Sequence, residues 1–376
     1  MVNWKIPHYK ILVDQDDVQS VSDVIKRKML WAIGPEIKKF ESMLASYVGT
    51  KYCLTFNSGT SALHASLIAL KIKEKQEVLV PSFTFIATAN SVRMVNAIPK
   101  FIDIEKETLG IDPILIEKNI SKKTKAIIPI HFAGIPCKIN EIQSIAKKKK
   151  IPIIEDAAEG LGSKINNKKL GTFGDVSVFS FAGNKILTTG EGGAIVTDSK
   201  KIFERLQLIR SHGRVEVKNY FSTNDKPNYV DLGYNWRMSS ITAALAISQL
   251  SKLDKLISMR RKNSQYLSSK LSKIKGIFTP LESKDQFFNY QFYFIMLDSM
   301  KKRNSLMKFL TKKGIMSKVF FYPVHRTKFY SNINTKNLKV TDKISQQILS
   351  LPMYPDLTKE ELNYIVDSIA EFMETS

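Results

Sequence analysis

Between residues 50 and 200 the apolar positions fall into two alternating patterns. Short, nearly continuous runs predict strands near 52–56, 78–81, 98–102, 125–130, 152–155, 176–181 and 194–197. Stretches with apolar residues three and four positions apart, such as 61–70 and 140–149, predict helices between several of them. Unbroken apolar strands alternating with helices imply an α/β domain, a mostly parallel seven-stranded sheet covered on both faces. Ligands of such sheets bind beyond the C-terminal ends of the strands. Segments 57–61, 82–85, 156–159 and 180–185 each follow a predicted strand end, so four motifs are expected to converge on one cleft.

From 238 to about 271 the period is helical, with Ala243, Leu245, Ala246, Leu250 and Leu253 on helix spacing. Beyond it, expected strands at 290–296 and 317–322 alternate with helices at 301–313 and from Lys359, a smaller α+β domain. The division predicted is 1–250 for a large domain that includes the N-terminal segment, and 251–376 for a small one. The longest polar, irregular stretch is 213–232, a length uncommon for a loop without a function.

Composition narrows the class. Hydrophobic residues make up 43% of the 376, enough for a large core. No apolar run reaches the ~18 residues of a membrane span, and the first residues carry no secretory pattern. Two cysteines, Cys53 and Cys137, do not suggest a disulfide framework, so a cytoplasmic setting is expected. The net charge of +22 favours anionic partners. A non-catalytic nucleic-acid-binding protein is one reading of that charge. Yet the lysines are spread along the chain, and the run 147–150 closes an amphipathic helix, where cations suit the C-terminus. Phosphate-bearing small molecules are the preferred partners, with no nucleic acid and no membrane.

The densest chemistry lies in Phe179-Ser180-Phe181-Ala182-Gly183-Asn184-Lys185, followed by Thr189-Gly190-Glu191-Gly192-Gly193. A lysine on a glycine-rich turn after an apolar strand can be desolvated into a nucleophile. Asp156 closes another apolar run. Lysine with aspartate is the pair expected for pyridoxal phosphate, the lysine as Schiff base and the acid as partner of the ring nitrogen; a helix-capping role is the alternative for Asp156. Asn57-Ser58-Gly59-Thr60-Ser61 opens a helix after a strand, which suits a phosphate as well as an ordinary N-cap. Phe85 could stack on a flat ring or belong to the core. Glu159 lies near Asp156, or completes a capping box. Gly160-Leu161-Gly162 resembles a dinucleotide fingerprint, but Ile165 occupies the third glycine position. His64, His131, His212 and His325 are scattered, so no metal site is expected.

These motifs, with Gly34-Pro35, Phe40-Glu41, Gly233-Tyr234-Asn235-Trp236-Arg237-Met238 and Leu351-Pro352, resemble the DegT/DnrJ/EryC1/StrS family of nucleotide-sugar aminotransferases. The segment from Phe181 to Gly193, together with Phe321-Tyr322-Pro323-Val324-His325, is most similar to members that aminate GDP-linked 4-keto-6-deoxy sugars for surface polysaccharides such as lipopolysaccharide O-antigen. The resemblance implies a type I PLP-dependent aminotransferase fold. It implies L-glutamate as amino donor, a pyridoxamine phosphate (PMP) form between half-reactions, and a homodimer with shared active sites. Lys185 matches the cofactor lysine, Asp156 the ring-nitrogen partner and Phe85 the stacking aromatic. Glu159 matches a cofactor contact, and Gly59, Thr60 and Ser180 match phosphate contacts. Asn235 matches a residue reaching the neighbouring subunit's cofactor. Arg214, Arg237 and His325 are the substrate-binding candidates. Trp236 stands where tyrosine or phenylalanine is commoner. Family dehydratases carry histidine in place of the lysine, so Lys185 points to transamination. The base (GDP, UDP or dTDP) and the aminated carbon (C3 or C4) stay open.

Overall fold

The computed structural model describes residues 4–215, 224, 226–333 and 338–375. Its central sheet contains β1 (Tyr52–Phe56), β2 (Glu77–Pro81), β3 (Ile98–Ile102), β4 (Thr124–Ile127), β5 (Ile154–Asp156), β6 (Val176–Ser180) and β7 (Gly193–Thr197). One part runs in the order β3-β2-β4 and the other β1-β7-β6-β5. Parallel bridges at Ile127–Ile153 and Ile130–Asp156 join them, giving the seven strands the apolar runs predict. β2 is parallel to β3 and β4, and β5 to β6. β7 is antiparallel to both neighbours, β1 and β6. The reason is its connection: residues 181–192 form turns without a helix, and a parallel return needs a crossover that usually carries one.

Most positions on these strands are buried, as expected for a sheet covered on both sides. Helix Gly59–Ala69 follows β1 directly, and the Ser58 side chain caps it by accepting from Ser61 N–H at 3.1 Å.

Beyond the sheet, two expectations change. The helical stretch breaks at Lys252 into Ser240–Ser251 and Leu253–Leu271. The break is pinned by the Lys252 ammonium, 2.6 Å from both Asp14 and Asp17. The strand expected at 317–322 reduces to one bridge, Lys318–Ser350, while Tyr293–Met296 pairs antiparallel with Ile348–Leu351, a strand that sequence pattern missed. Ile348–Leu351 follows helix Lys339–Gln347 without a turn signal, so nothing in the pattern marks where the strand begins. Ile6 is fully buried, bridges to Ile315 and sits in the C-terminal core. Helix Leu253–Leu271 ties the two parts together: Leu253 and Ile257 pack in the core beside β6 and β7, Leu267 and Leu271 in the C-terminal core. Among the described residues no helix is long and apolar enough to cross a membrane.

One buried acid organises the middle of the sheet. Glu155, wholly buried on β5, accepts from the N–H groups of Gly171, Phe173 and Gly174, from the Ser177 hydroxyl and from His131 Nε2 at 3.0 Å. Cys137 N–H donates to His131 Nδ1, so the imidazole proton sits on Nε2. Burial alone would push the Glu155 carboxyl up. The His131 hydrogen bond and the backbone donors outweigh it and hold the group below the usual carboxylate range. Glu155→Gln would turn an NH₂ toward groups that are all donors. We expect it to cost about 2–5 kcal/mol, read from the denaturant midpoint; a loss under about 1 kcal/mol would contradict the assignment.

Candidate active site

A cavity of about 300 Å³ opens where several strands of the sheet end. Ser58, Gly59 and Thr60 follow β1, Phe85 and Thr88 follow β2, Asp156 closes β5 and Ser180 closes β6. Lys185 enters from the loop after β6. Phe292, Phe320 and Phe321, from the C-terminal part, wall one side. The convergence expected from strand-end motifs is therefore present.

One end of the cavity is built to receive an anion. The first backbone hydrogen bond of helix Gly59–Ala69 is from Ala62 N–H to the Ser58 carbonyl, and the Ser58 hydroxyl takes Ser61 N–H. Gly59 and Thr60 precede that bond, at the positive end of the helix dipole. A Cβ on Gly193 would lie 2.5 Å from the Ser58 carbonyl and 2.6 Å from Gly59 N; one on Gly59 would lie 3.0 Å from Ser180 Cβ. At Gly193 backbone thus packs on backbone, and only glycine allows it.

The same cavity is lined by two buried acids, Asp156 and Glu159. Asp156 is 7% exposed; its Oδ2 accepts from Thr88 Oγ at 2.8 Å and its Oδ1 from Ala158 N–H at 3.3 Å. Burial pushes its carboxyl above the usual range, opposed by the Thr88 hydroxyl, the Ala158 N–H and the Lys185 charge. A basic ring nitrogen at this carboxylate would be held protonated. Lys185 Nζ lies 3.5 Å from Glu159 Oε1, and Glu159 Oε2 accepts from Ala133 N–H at 2.8 Å. Burial raises the Glu159 carboxyl, against the pull of Lys185 and the Ala133 bond. Phe85 is 61% exposed at the cavity wall, an apolar ring face open to a flat partner. Anion cradle, amine, acid and aromatic face together fit a flat phosphorylated cofactor with a basic ring nitrogen.

The remaining candidates lie elsewhere in the chain. His325 is turned away from the cavity: its Nδ1 bonds Ser82 Oγ at 2.7 Å and its Nε2 lies 3.2 Å from Asp342, so the ring ties the end of β2 to helix Lys339–Gln347. Arg214 is buried and bridges to Tyr229; Arg237 donates to Ser211 Oγ at 3.1 Å; Asn235 is exposed and pairs with Ser211. None of these lines the cavity of its own chain. Residues 216–223 and 225 of the long loop lie outside the described residues.

The sequence reading missed Thr88 and Phe292. Thr88 falls one helical turn after Phe85, a spacing that signals a shared face; Phe292 carried no signal. Gly162, part of the fingerprint-like motif, has φ +85°, and a Cβ there would meet Ile257 Cδ1 at 2.3 Å, so tight packing accounts for it. Among the described residues no His/Cys/Asp/Glu group could hold a metal.

A model of the DegT/DnrJ/EryC1/StrS aminotransferase family matches residues 12–370. The chain is similar to GDP-perosamine synthase of Escherichia coli O157:H7, 35% identical over 367 residues covering 98% of each. It is similar to the solved structure of Helicobacter pylori PseC, an aminotransferase involved in the biosynthesis of pseudoaminic acid. That likeness has a TM-score of 0.92 at 30% identity and covers 99% of this chain and 100% of that one. Spr1654 from Streptococcus pneumoniae, solved in its PLP form, has a TM-score of 0.91 at 25% identity, covering 99% and 98%. Gly193→Ala, by forcing β7 off the Ser58–Gly59 backbone, is expected to weaken uptake of pyridoxal phosphate at least ~10-fold in a titration of the cofactor-free protein. Unchanged affinity would show that this cradle does not hold the phosphate.

Proposed function

Since the chain belongs to the DegT/DnrJ/EryC1/StrS aminotransferase family, we propose that it uses pyridoxal phosphate to move the amino group of L-glutamate onto a GDP-linked 4-keto-6-deoxy sugar. The observation that carries this reading is the meeting of Lys185, Asp156 and the Gly59–Thr60 helix start in one cavity. Full-length similarity to a GDP-perosamine synthase supports the choice of nucleotide. When bound, the cofactor supplies an aldehyde for the migrating amine and a ring that accepts an electron pair.

The chain's own residues supply the rest. Lys185 Nζ would hold the cofactor at its aldehyde and, when freed, would take up the donor's α-proton and give it back, acting as base and then acid. Glu159 Oε1, 3.5 Å away, keeps that amine aimed at the cavity between transfers. The Asp156 carboxylate keeps the ring nitrogen protonated, which makes the ring an electron sink. Gly59, Thr60 and Ser180 would bind the phosphate, and Phe85 would cover one ring face. Phe292, Phe320 and Phe321 exclude water from one wall.

Asn235 is exposed and outside its own chain's cavity, which suits the donation of its amide to a second copy. The reading therefore includes a homodimer with shared sites, in the cytoplasm. Arg214 and Arg237 are its diphosphate candidates, since guanidinium groups grip phosphate bidentately.

The purified protein should show a visible absorption band that changes on adding glutamate. Lys185→Ala should abolish the band and lower turnover by about 10²–10⁴-fold. In a panel of keto-sugars on GDP, UDP and dTDP, glutamate-dependent amination should be fastest with GDP. A colourless protein that cannot be reconstituted overturns the reading; turnover confined to another base overturns the choice of nucleotide.

A further inference from the structure

The carboxylate at the end of β5 does not stand alone. Thr84 and Thr88, both buried on the turn that also carries Phe85, form a chain to it: Thr84 Oγ lies 2.8 Å from Thr88 Oγ, which lies 2.8 Å from Asp156 Oδ2. A hydroxyl has one proton, and an ionised carboxylate only accepts. With Asp156 ionised, Thr88 must give its proton to Oδ2, and Thr84 must then donate to the Thr88 oxygen. The direction of both bonds is thus set by the charge on Asp156. Protonating Oδ2 would leave two donors facing each other and force the chain to turn.

We propose that Thr88, oriented by Thr84, is a positioning residue that keeps Asp156 ionised and fixes which of its oxygens faces the cofactor's ring nitrogen. This rests on the pyridoxal phosphate reading above. Thr88 occupies Oδ2 from the β2 side, so Oδ1, with the long 3.3 Å bond from Ala158 N–H, is the oxygen left to meet a cation. Thr88 also shares a helical turn with Phe85, since its N–H donates to the Phe85 carbonyl at 3.2 Å. The ring's covering face and its acid are therefore set by one rigid element, helix Ile86–Met94.

Other charged groups bear on Asp156. Lys185 approaches from the loop after β6 and opposes the effect of burial, whereas Glu159, three residues on, repels it. His131, following β4, has its ring proton on Nε2 directed at Glu155. None of these donates to Oδ2; the hydroxyl chain does. Because the Thr88 bond lowers the Asp156 pKa, its removal raises that pKa further. The acid limb of any process that needs ionised Asp156 then moves to higher pH.

The test titrates full-length, cofactor-stripped protein with pyridoxal phosphate across a pH series, for wild type, Thr88→Val, Thr88→Ser and Thr84→Val. Thr88→Val should bind about tenfold more weakly near neutral pH, as expected for loss of a hydrogen bond to a charged group. Its affinity should begin to fall at higher pH than in wild type. Thr88→Ser should restore both values, and Thr84→Val should shift the limb in the same direction by less. A Thr88→Val protein whose affinity is unchanged, or reduced by one factor at every pH, overturns the proposal. Should that variant fail to fold, Thr84→Val decides, and an unmoved limb overturns it. Wild type that takes up no pyridoxal phosphate overturns the underlying function instead, and the two failures are distinct.

Discussion

The structure depends on one fact of strand geometry: neighbouring residues on a β-strand point to opposite sides. Glu155 and Asp156 are adjacent on β5, so one carboxylate is directed into the protein and the other to the cavity. Glu155 is saturated by donors and stitches together the 171–174 loop, β6 and His131. Among the described residues Asp156 accepts from Thr88 and, over a long bond, from Ala158, which leaves acceptor capacity for a ligand. Two identical functional groups are given different work by burial and partners alone. The saturated acid fixes the backbone on which the reactive one is mounted.

The same economy runs through the start of helix Gly59–Ala69. Within the central sheet β7 runs against both of its neighbours, and it starts at Gly193, pressed against Ser58 and Gly59. The glycine-rich turn after Lys185 thus serves two ends. It returns the chain without a helix, and it allows a close approach that makes the helix start a rigid cradle. A long-range contribution comes from the net charge of +22, which raises the local concentration of anionic substrates and is screened by salt.

Much of this was legible because the relevant signals are local. Unbroken apolar runs mark covered strands, and motifs at their ends mark the cleft, so Lys185, Asp156, Gly59, Thr60, Ser180 and Phe85 could be named before any coordinates. Signals that depend on tertiary pairing were not legible. Ile348–Leu351 is a strand only because Tyr293–Met296 lies beside it. Ile6 looks like any exposed terminal residue until its bridge to Ile315 is seen. His325 sits in a motif with family likeness, yet Ser82 and Asp342 claim both of its nitrogens. The spacing of Thr88 from Phe85 signals a shared face but no partner; its 2.8 Å approach to Asp156 supplies that.

The central claim is that the β5 acid and the lysine after β6 grip opposite ends of one flat cofactor. A crystal structure of the protein grown with pyridoxal phosphate tests it most directly. Continuous density should join Lys185 Nζ to the cofactor's aldehyde carbon, with an Asp156 oxygen about 2.8 Å from the ring nitrogen and the phosphate on Gly59 and Thr60. A cofactor bound with its ring nitrogen away from Asp156, or with Lys185 unlinked and still paired to Glu159, would contradict the account.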